Sequence, residues 1–295
     1  MIGHLETLLA ALRPPARVAF ARERWDTPDG DFIDVDFAGD ASLPRRMVLL
    51  HGLEGCSDSH YARSLARALP ESGWRVAIPH WRGCSGEPNR RPRAYHSGDT
   101  AELDWMLGKM RQPVDAIGIS LGGNVLLKWL GERGTQAVGV VRRAASISAP
   151  LDLPASGGAL DRGLNRLLYT RMFLSTLKPK SLAQLERFPG AFDAARVRRA
   201  TTFREFDDAY TAPLHGFSGV EHYWTTAASG PWLEHIRVPA LVINARNDPF
   251  LPEGALLAAA AKAASCVQLE FPRRGGHVGF PASWLARRLI EFFSK

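Results

Sequence analysis

The stretch Val114-Asp115-Ala116-Ile117-Gly118-Ile119-Ser120-Leu121-Gly122-Gly123-Asn124-Val125-Leu126-Leu127 is an apolar run that turns on glycines into a second apolar run of helical character, with one serine at the turn. A strand-to-helix turn this tight forces its central residue into strained backbone angles and presses the residues two before and two after against it. Gly118 and Gly122 lack the side chains that would collide there. The serine hydroxyl then stands clear of the sheet edge, and the N–H groups opening the helix point toward a carbonyl oxygen under attack. A G-x-S-x-G pentapeptide alone is a modest signal. Its position between strand and helix makes Ser120 a candidate nucleophile.

Working outward, Val18 to Trp25 and Phe32 to Phe37 read as two strands joined by Thr27-Pro28-Asp29-Gly30, a turn that predicts an antiparallel hairpin. Short unbroken apolar runs then alternate with helical segments. Strands are expected at Met47 to Leu50, Val76 to Ile78, Ala116 to Ile119, Ala144 to Ser148, Ala240 to Asn244 and Val267 to Phe271. Helices are expected at Tyr61 to Leu69, Thr100 to Met110, Val125 to Leu130, Glu253 to Ala264 and from Trp284 onward. The pattern predicts an α/β fold over 1–295 with a mostly parallel sheet, an antiparallel N-terminal hairpin and flanking helices. Between about 151 and 236 the alternation stops. Leu160, Leu164, Leu167, Leu168 and Met172 recur there at helical spacing, which predicts an inserted helical cap lining a substrate pocket.

A serine hydroxyl needs a base, and the base needs an acid to fix its tautomer. Asp248 follows the strand Ala240 to Asn244, and His277 follows the last strand between Gly276 and Val278. Both lie, like Ser120, just beyond C-terminal strand ends, where sites of parallel sheets collect. Asp248 is also placed to open the following helix, and Asp207 and Asp208 are rival acids better suited to a pocket rim. His60, His215, His222 and His235 sit on or near helical segments, a poor position for this base. The loop His51-Gly52-Leu53-Glu54-Gly55 leaves another strand, so the backbone N–H groups of Leu53 and Leu121 are expected to form an oxyanion hole, with His51 bracing the loop.

The chain has 295 residues, 45% of them apolar, enough for a full core. Its charge of +7 is spread without a basic, aromatic-interleaved face, so no nucleic-acid partner is expected. Cys56, Cys84 and Cys266 are far apart and odd in number, which speaks against disulfides and a zinc site and for a reducing compartment. No run has the length of a membrane span, and the N-terminus lacks a basic signal-like start, so a cytoplasmic location is expected. Ile2, Leu5, Leu8, Leu9 and Leu12, followed by Arg13 and Arg17, form an amphipathic pattern. It is expected to dock on the core, the other placement being peripheral contact with lipid.

The residues His51 to Gly55, Trp81-Arg82-Gly83-Cys84-Ser85-Gly86-Glu87-Pro88-Asn89, Tyr95-His96-Ser97-Gly98, Gly118 to Asn124, Phe206 to Phe217, Asn247-Asp248-Pro249-Phe250 and Gly276 to Phe280 together resemble the α/β-hydrolase superfamily and, within it, the YheT-like branch. The resemblance implies a cofactor-free and metal-free carboxylic-ester hydrolase using Ser120, His277 and Asp248, with a lean toward medium-chain or acyl-lipid esters as substrates. Thioesterase, amidase and acyltransferase chemistry would use the same residues, and a non-catalytic binding protein of this fold is the alternative from another class. The serine at position 120 speaks against a dehalogenase. The Arg82 to Asn89 and Tyr95 to Gly98 segments have no evident chemical role, and bracing of the site is expected of them. The residues do not disclose the oligomeric state.

Overall fold

The computed structural model describes residues 1–12 and 17–295, so Arg13 lies outside the described residues. Eight strands form one sheet: β1 (Ala21–Asp26), β2 (Phe32–Ala38), β3 (Arg45–Leu50), β4 (Trp74–Pro79), β5 (Val114–Ile119), β6 (Val141–Ile147), β7 (Ala240–Ile243) and β8 (Val267–Glu270). Their order is β1-β2-β4-β3-β5-β6-β7-β8. β1 and β2 pair antiparallel with each other, β2 runs antiparallel to β4, and all further pairs are parallel. The expected hairpin and mostly parallel sheet are both present.

Alternation along the strands feeds two apolar layers. On one face Val48, Leu50, Ala116 and Val242 pack with the helices α3 (Thr100–Lys109) and α4 (Leu121–Arg133). Met47, Leu49, Ile117 and Ile243 pack on the other with α2 (His60–Ala68) and the C-terminal helix Ala282–Phe293. β2 interleaves Asp34 and Asp36 with its apolar residues, and their registered partners on β1 are Arg24 and Arg22. Each arginine makes a bidentate pair with its aspartate, at 2.7 and 2.9 Å for Asp34 and 2.7 and 2.8 Å for Asp36. The carboxylates are thereby buried with their charges matched.

Two expectations about helical faces fail. The N-terminal helix α1 (Ile2–Ala11) forms, but Leu5, Leu9 and Leu12 are 57, 51 and 78% exposed while Gly3, Thr7 and Ala10 are buried. The small residues face inward because α1 packs backbone to backbone: a Cβ on Gly3 would overlap the carbonyl oxygen of Asn247. Spacing marked the apolar stripe but not which stripe the fold would cover. Between β6 and β7 the chain is helical, as expected, including Leu153–Leu160, a π-helical turn over Arg166–Thr170 and a helix over Arg171–Arg187. Here Leu164, Leu167 and Leu168 point to solvent rather than into the molecule, and only Leu160 and Met172 of the anticipated stripe line the cavity described below. The wider turn of the π segment shifts the register of the stripe. The helix expected over Glu253 to Ala264 ends at Ala260.

Candidate active site

The parallel strands bring their C-terminal ends to one edge, and the strained backbone gathers there. Five non-glycine residues among those described have positive φ, and four of them, Glu54, Ser120, Ser148 and Val278, lie in the loops at this edge. For a β-branched residue such as Val278 this is a costly conformation that only surrounding contacts maintain. Its N–H donates to Ser148 Oγ at 3.1 Å.

Ser120 sits between β5 and α4 with φ 52° and ψ −117°, its N–H donating to Ile147 O at 2.8 Å. A Cβ on Gly118 would overlap Gly122 and Gly123, and one on Gly122 would meet the main chain at Leu50 and His51. The turn therefore excludes side chains at both positions. Ser120 Oγ is 2.9 Å from His277 Nε2, and His277 Nδ1 is 2.9 Å from Asp248 Oδ2. The other Asp248 oxygen accepts the N–H of Phe250 at 2.9 Å, and the Phe250 ring stacks on His277 with centroids 4.2 Å apart. The Asp248 side chain is wholly enclosed. This arrangement favours the tautomer with the proton on Nδ1, leaving Nε2 to accept from the serine.

The rival residues fall elsewhere. Burial lowers His51 and His215 to about 3, which removes both as bases near neutrality. His222 bonds to Ser218, His235 lies beside Glu234, and His60 approaches Val278 O at 3.4 Å. Asp208 pairs with Arg196. Asp207 lines the cavity, accepting from Trp224 Nε1 and Thr211 Oγ1, both at 2.7 Å; burial raises it to about 6 against the pull of these two bonds.

In the loop after β3, Gly52 N–H donates to Tyr61 Oη at 2.9 Å and Gly55 N–H to Gly52 O at 3.0 Å. Glu54 N–H donates to Tyr95 Oη at 2.9 Å, and Tyr95 Oη donates back to Glu54 Oε1 at 3.0 Å. Leu53 and Leu121, whose N–H groups have no hydrogen-bond partner among the described residues, border the cavity with Ser120. His51 accepts the Trp81 N–H at Nε2, 3.1 Å away, and donates from Nδ1 to Gly52 O at 2.8 Å, the bracing role anticipated for it.

The two segments without an assigned role are also braces. Arg82 binds Glu102 at 2.6 Å, Asp31 at 2.8 Å and Asp29 at 2.9 Å, and Asn89 donates to Asp31 and to Phe32 O. Besides Tyr95, Ser97 is fixed by Tyr223 Oη and by Asn124 of α4, which also holds Ala227. What sequence reasoning missed is the inner face of α1. Thr7 Oγ1 accepts the N–H of His277 at 2.8 Å, and Glu6 accepts from Gly275 N–H at 3.0 Å and Asn247 Nδ2 at 2.8 Å. The first helix thus clasps the loops bearing His277 and Asp248. A cavity of about 780 Å³ opens over Ser120, walled on its far side by Leu160, Phe173, Leu177 and Phe203 from the helical segment.

A strained serine at a strand-to-helix turn, with histidine and aspartate on later loops of the same parallel edge, defines a class, and the comparison with known sequences agrees. The pattern of the family described as alpha/beta hydrolase fold matches residues 45–281, and the chain belongs to that family. Within it the chain lies in the YheT-like branch. It is 34% identical to "Putative esterase YheT" of Escherichia coli (strain K12), over 99% of this chain and 90% of that protein. It is 30% identical to "Phospholipase ABHD3" of Homo sapiens, over 94% of this chain and 71% of that protein. The solved structure of the Pyrococcus furiosus esterase Pf2001 shares the fold with a TM-score of 0.62 at 15% identity, covering 96% of this chain and 97% of that one.

Proposed function

We propose that this chain is a serine hydrolase of carboxylic esters, acting through Ser120, His277 and Asp248 and an acyl-enzyme intermediate. The observation that carries the reading is the relay of two 2.9 Å hydrogen bonds from Ser120 Oγ through His277 to Asp248. His277 Nε2 takes the proton as Ser120 Oγ attacks the ester carbonyl, and Asp248 stabilises the imidazolium. The N–H groups of Leu53 and Leu121 receive the oxyanion. The protonated histidine then releases the alcohol, and water attacks the acyl-enzyme by the same path in reverse.

The segment from about 151 to 236 serves in this reading as a cap within one α/β-hydrolase unit. Its apolar side chains over the cavity suit a medium-chain or lipid-derived acyl group; the human relative is named a phospholipase and the E. coli relative an esterase. The three cysteines are unpaired, which supports a reducing compartment such as the cytoplasm. Among the described residues no helix is long and apolar enough to cross a membrane.

The test is fluorophosphonate labelling together with turnover of p-nitrophenyl esters of increasing acyl length. Labelling at Ser120 is expected, with kcat lowered at least about a thousandfold in Ser120→Ala. Absence of both labelling and turnover, or their persistence in Ser120→Ala, overturns the proposal.

A further inference from the structure

Among the described residues, every large hydrophobic side chain left exposed, apart from Val138 and Leu257, falls on α1 with its flanking residues or on the stretch 164–172. The two segments touch: the His4 ring stacks on Tyr169 with centroids 5.8 Å apart and planes 6° from parallel. The two exposed apolar stretches are therefore neighbours on the surface. Leu8 from one segment and Met172 from the other are both exposed and cavity-lining, so the patch frames the place where the cavity over Ser120 meets solvent.

The rim of the patch is basic. From Arg162 to Gln184 the chain carries Arg162, Arg166, Arg171, Lys178 and Lys180 and no Asp or Glu. Arg162, Arg166 and Arg171 are exposed and form no ion pair among the described residues, and Arg166 bonds only the hydroxyl of Thr201. The single acid of α1, Glu6, is turned inward onto Asn247 and Gly275. A contiguous apolar patch of this kind marks an interaction surface. The excess of arginines along this stretch would repel a second copy brought face to face, whereas it complements phosphate headgroups.

We propose that this patch docks the protein on an anionic phospholipid surface, with Leu5, Leu9, Leu164 and Leu167 entering the headgroup boundary and the arginines meeting phosphates. The cavity mouth then faces lipid. The inference extends the hydrolase reading but does not depend on turnover, because docking is read on an inactive protein.

The test is flotation of the Ser120→Ala protein with vesicles of phosphatidylcholine, with and without phosphatidylglycerol. Flotation with the anionic vesicles is expected, weakening as salt is raised. Combined Leu5→Glu, Leu9→Glu and Leu167→Glu should lower partitioning by about tenfold per leucine. Arg166→Glu with Arg171→Glu should lower it on anionic vesicles only. In the Ser120 background both sets should hydrolyse soluble p-nitrophenyl butyrate at the parental rate, which also reports that they fold. Failure of the parent to float, or flotation unchanged by both sets, overturns docking, as does a dimer in sedimentation that the leucine variants disperse. Flotation without soluble-ester turnover in the Ser120 protein would instead sink the hydrolase reading alone.

Discussion

At Tyr95 a single buried hydroxyl holds both ends of Glu54, accepting its N–H and donating to its carboxylate, while Lys180 reaches the same carboxylate at 2.9 Å from the helix Arg171–Arg187. Glu54 has φ 54°, so this bond helps retain the backbone turn that presents the N–H of Leu53. Tyr95→Phe leaves the Glu54 N–H without its partner, a loss of about 1–3 kcal/mol. In steady-state kinetics it should lower kcat by about tenfold or more with KM for soluble esters little changed, since the loop matters most when the oxyanion forms. Asp207 makes a pH-dependent prediction. Its pKa is raised to about 6 from 3.8, chiefly by burial, so the folded protein keeps between these values a proton that the unfolded chain has released. Its contribution therefore falls as pH rises from about 4 to 6 and is flat above. The Tm of Asp207→Asn relative to the parent should be higher at about pH 7.5 than at about pH 4.5; an equal difference at both would show that no such ionisation is coupled to folding.

At the scale of elements, α1 is set by its small inner face, and that face reaches the reacting groups. Thr7 and Glu6 hold the main chain at His277 and two residues before it, so removing them should loosen the imidazole rather than the fold. Glu6→Ala with Thr7→Val is expected to lower kcat and the rate of fluorophosphonate labelling together, by about 10- to 100-fold, with the circular dichroism unchanged. The helical segment yields a paired prediction. Phe173→Ala and Leu160→Ala enlarge the cavity and should move the preference in a p-nitrophenyl ester series toward longer acyl chains. Leu164→Ala and Leu168→Ala, which point away from the cavity, should leave that preference where it was. Equal shifts in both sets would remove the distinction between wall and outer surface.

Across the whole molecule, what could be read from the chain was what local sequence carries. Ser120, Asp248 and His277 each follow an apolar strand and sit in a turn with its own punctuation, so residue type and chain order sufficed to pick out three groups that the structure brings within hydrogen-bonding distance. The inward stripe of α1 was hidden because its partners are about 240 to 270 positions away, and no periodicity within ten residues reveals them. Arg82 was hidden for the same reason. Its guanidinium joins the turn after β1, through Asp29 and Asp31, to α3 through Glu102, and so ties the antiparallel hairpin to the layer that carries the elbow. Arg82, Asp31 and Glu102 are all buried, and removing the cation leaves Asp31 without its charge partner and Glu102 with Arg93 at 3.9 Å, at a cost of about 3–5 kcal/mol. Arg82→Gln is thus expected to lower Tm by roughly 5–10 °C near neutrality. Acidification separates this from a simple packing defect. In the parent, Asp31 is held below its ordinary value: burial opposes this, but bonds from Arg90 N–H, Asn89 and Phe32 N–H, with the charge of Arg82, outweigh it. Its contribution is present above about pH 4 and lost as pH falls below that. Glu102 is already pushed up to about 7 by burial and by the neighbouring Asp99, so below neutrality the gap is set by Asp31: in Arg82→Gln its carboxylate takes up a proton at a higher pH than in the parent, and the gap in Tm between variant and parent should narrow as pH falls toward 4 and below. Melting curves across that range that stay parallel would show that Arg82 acts by filling space and not by balancing charge.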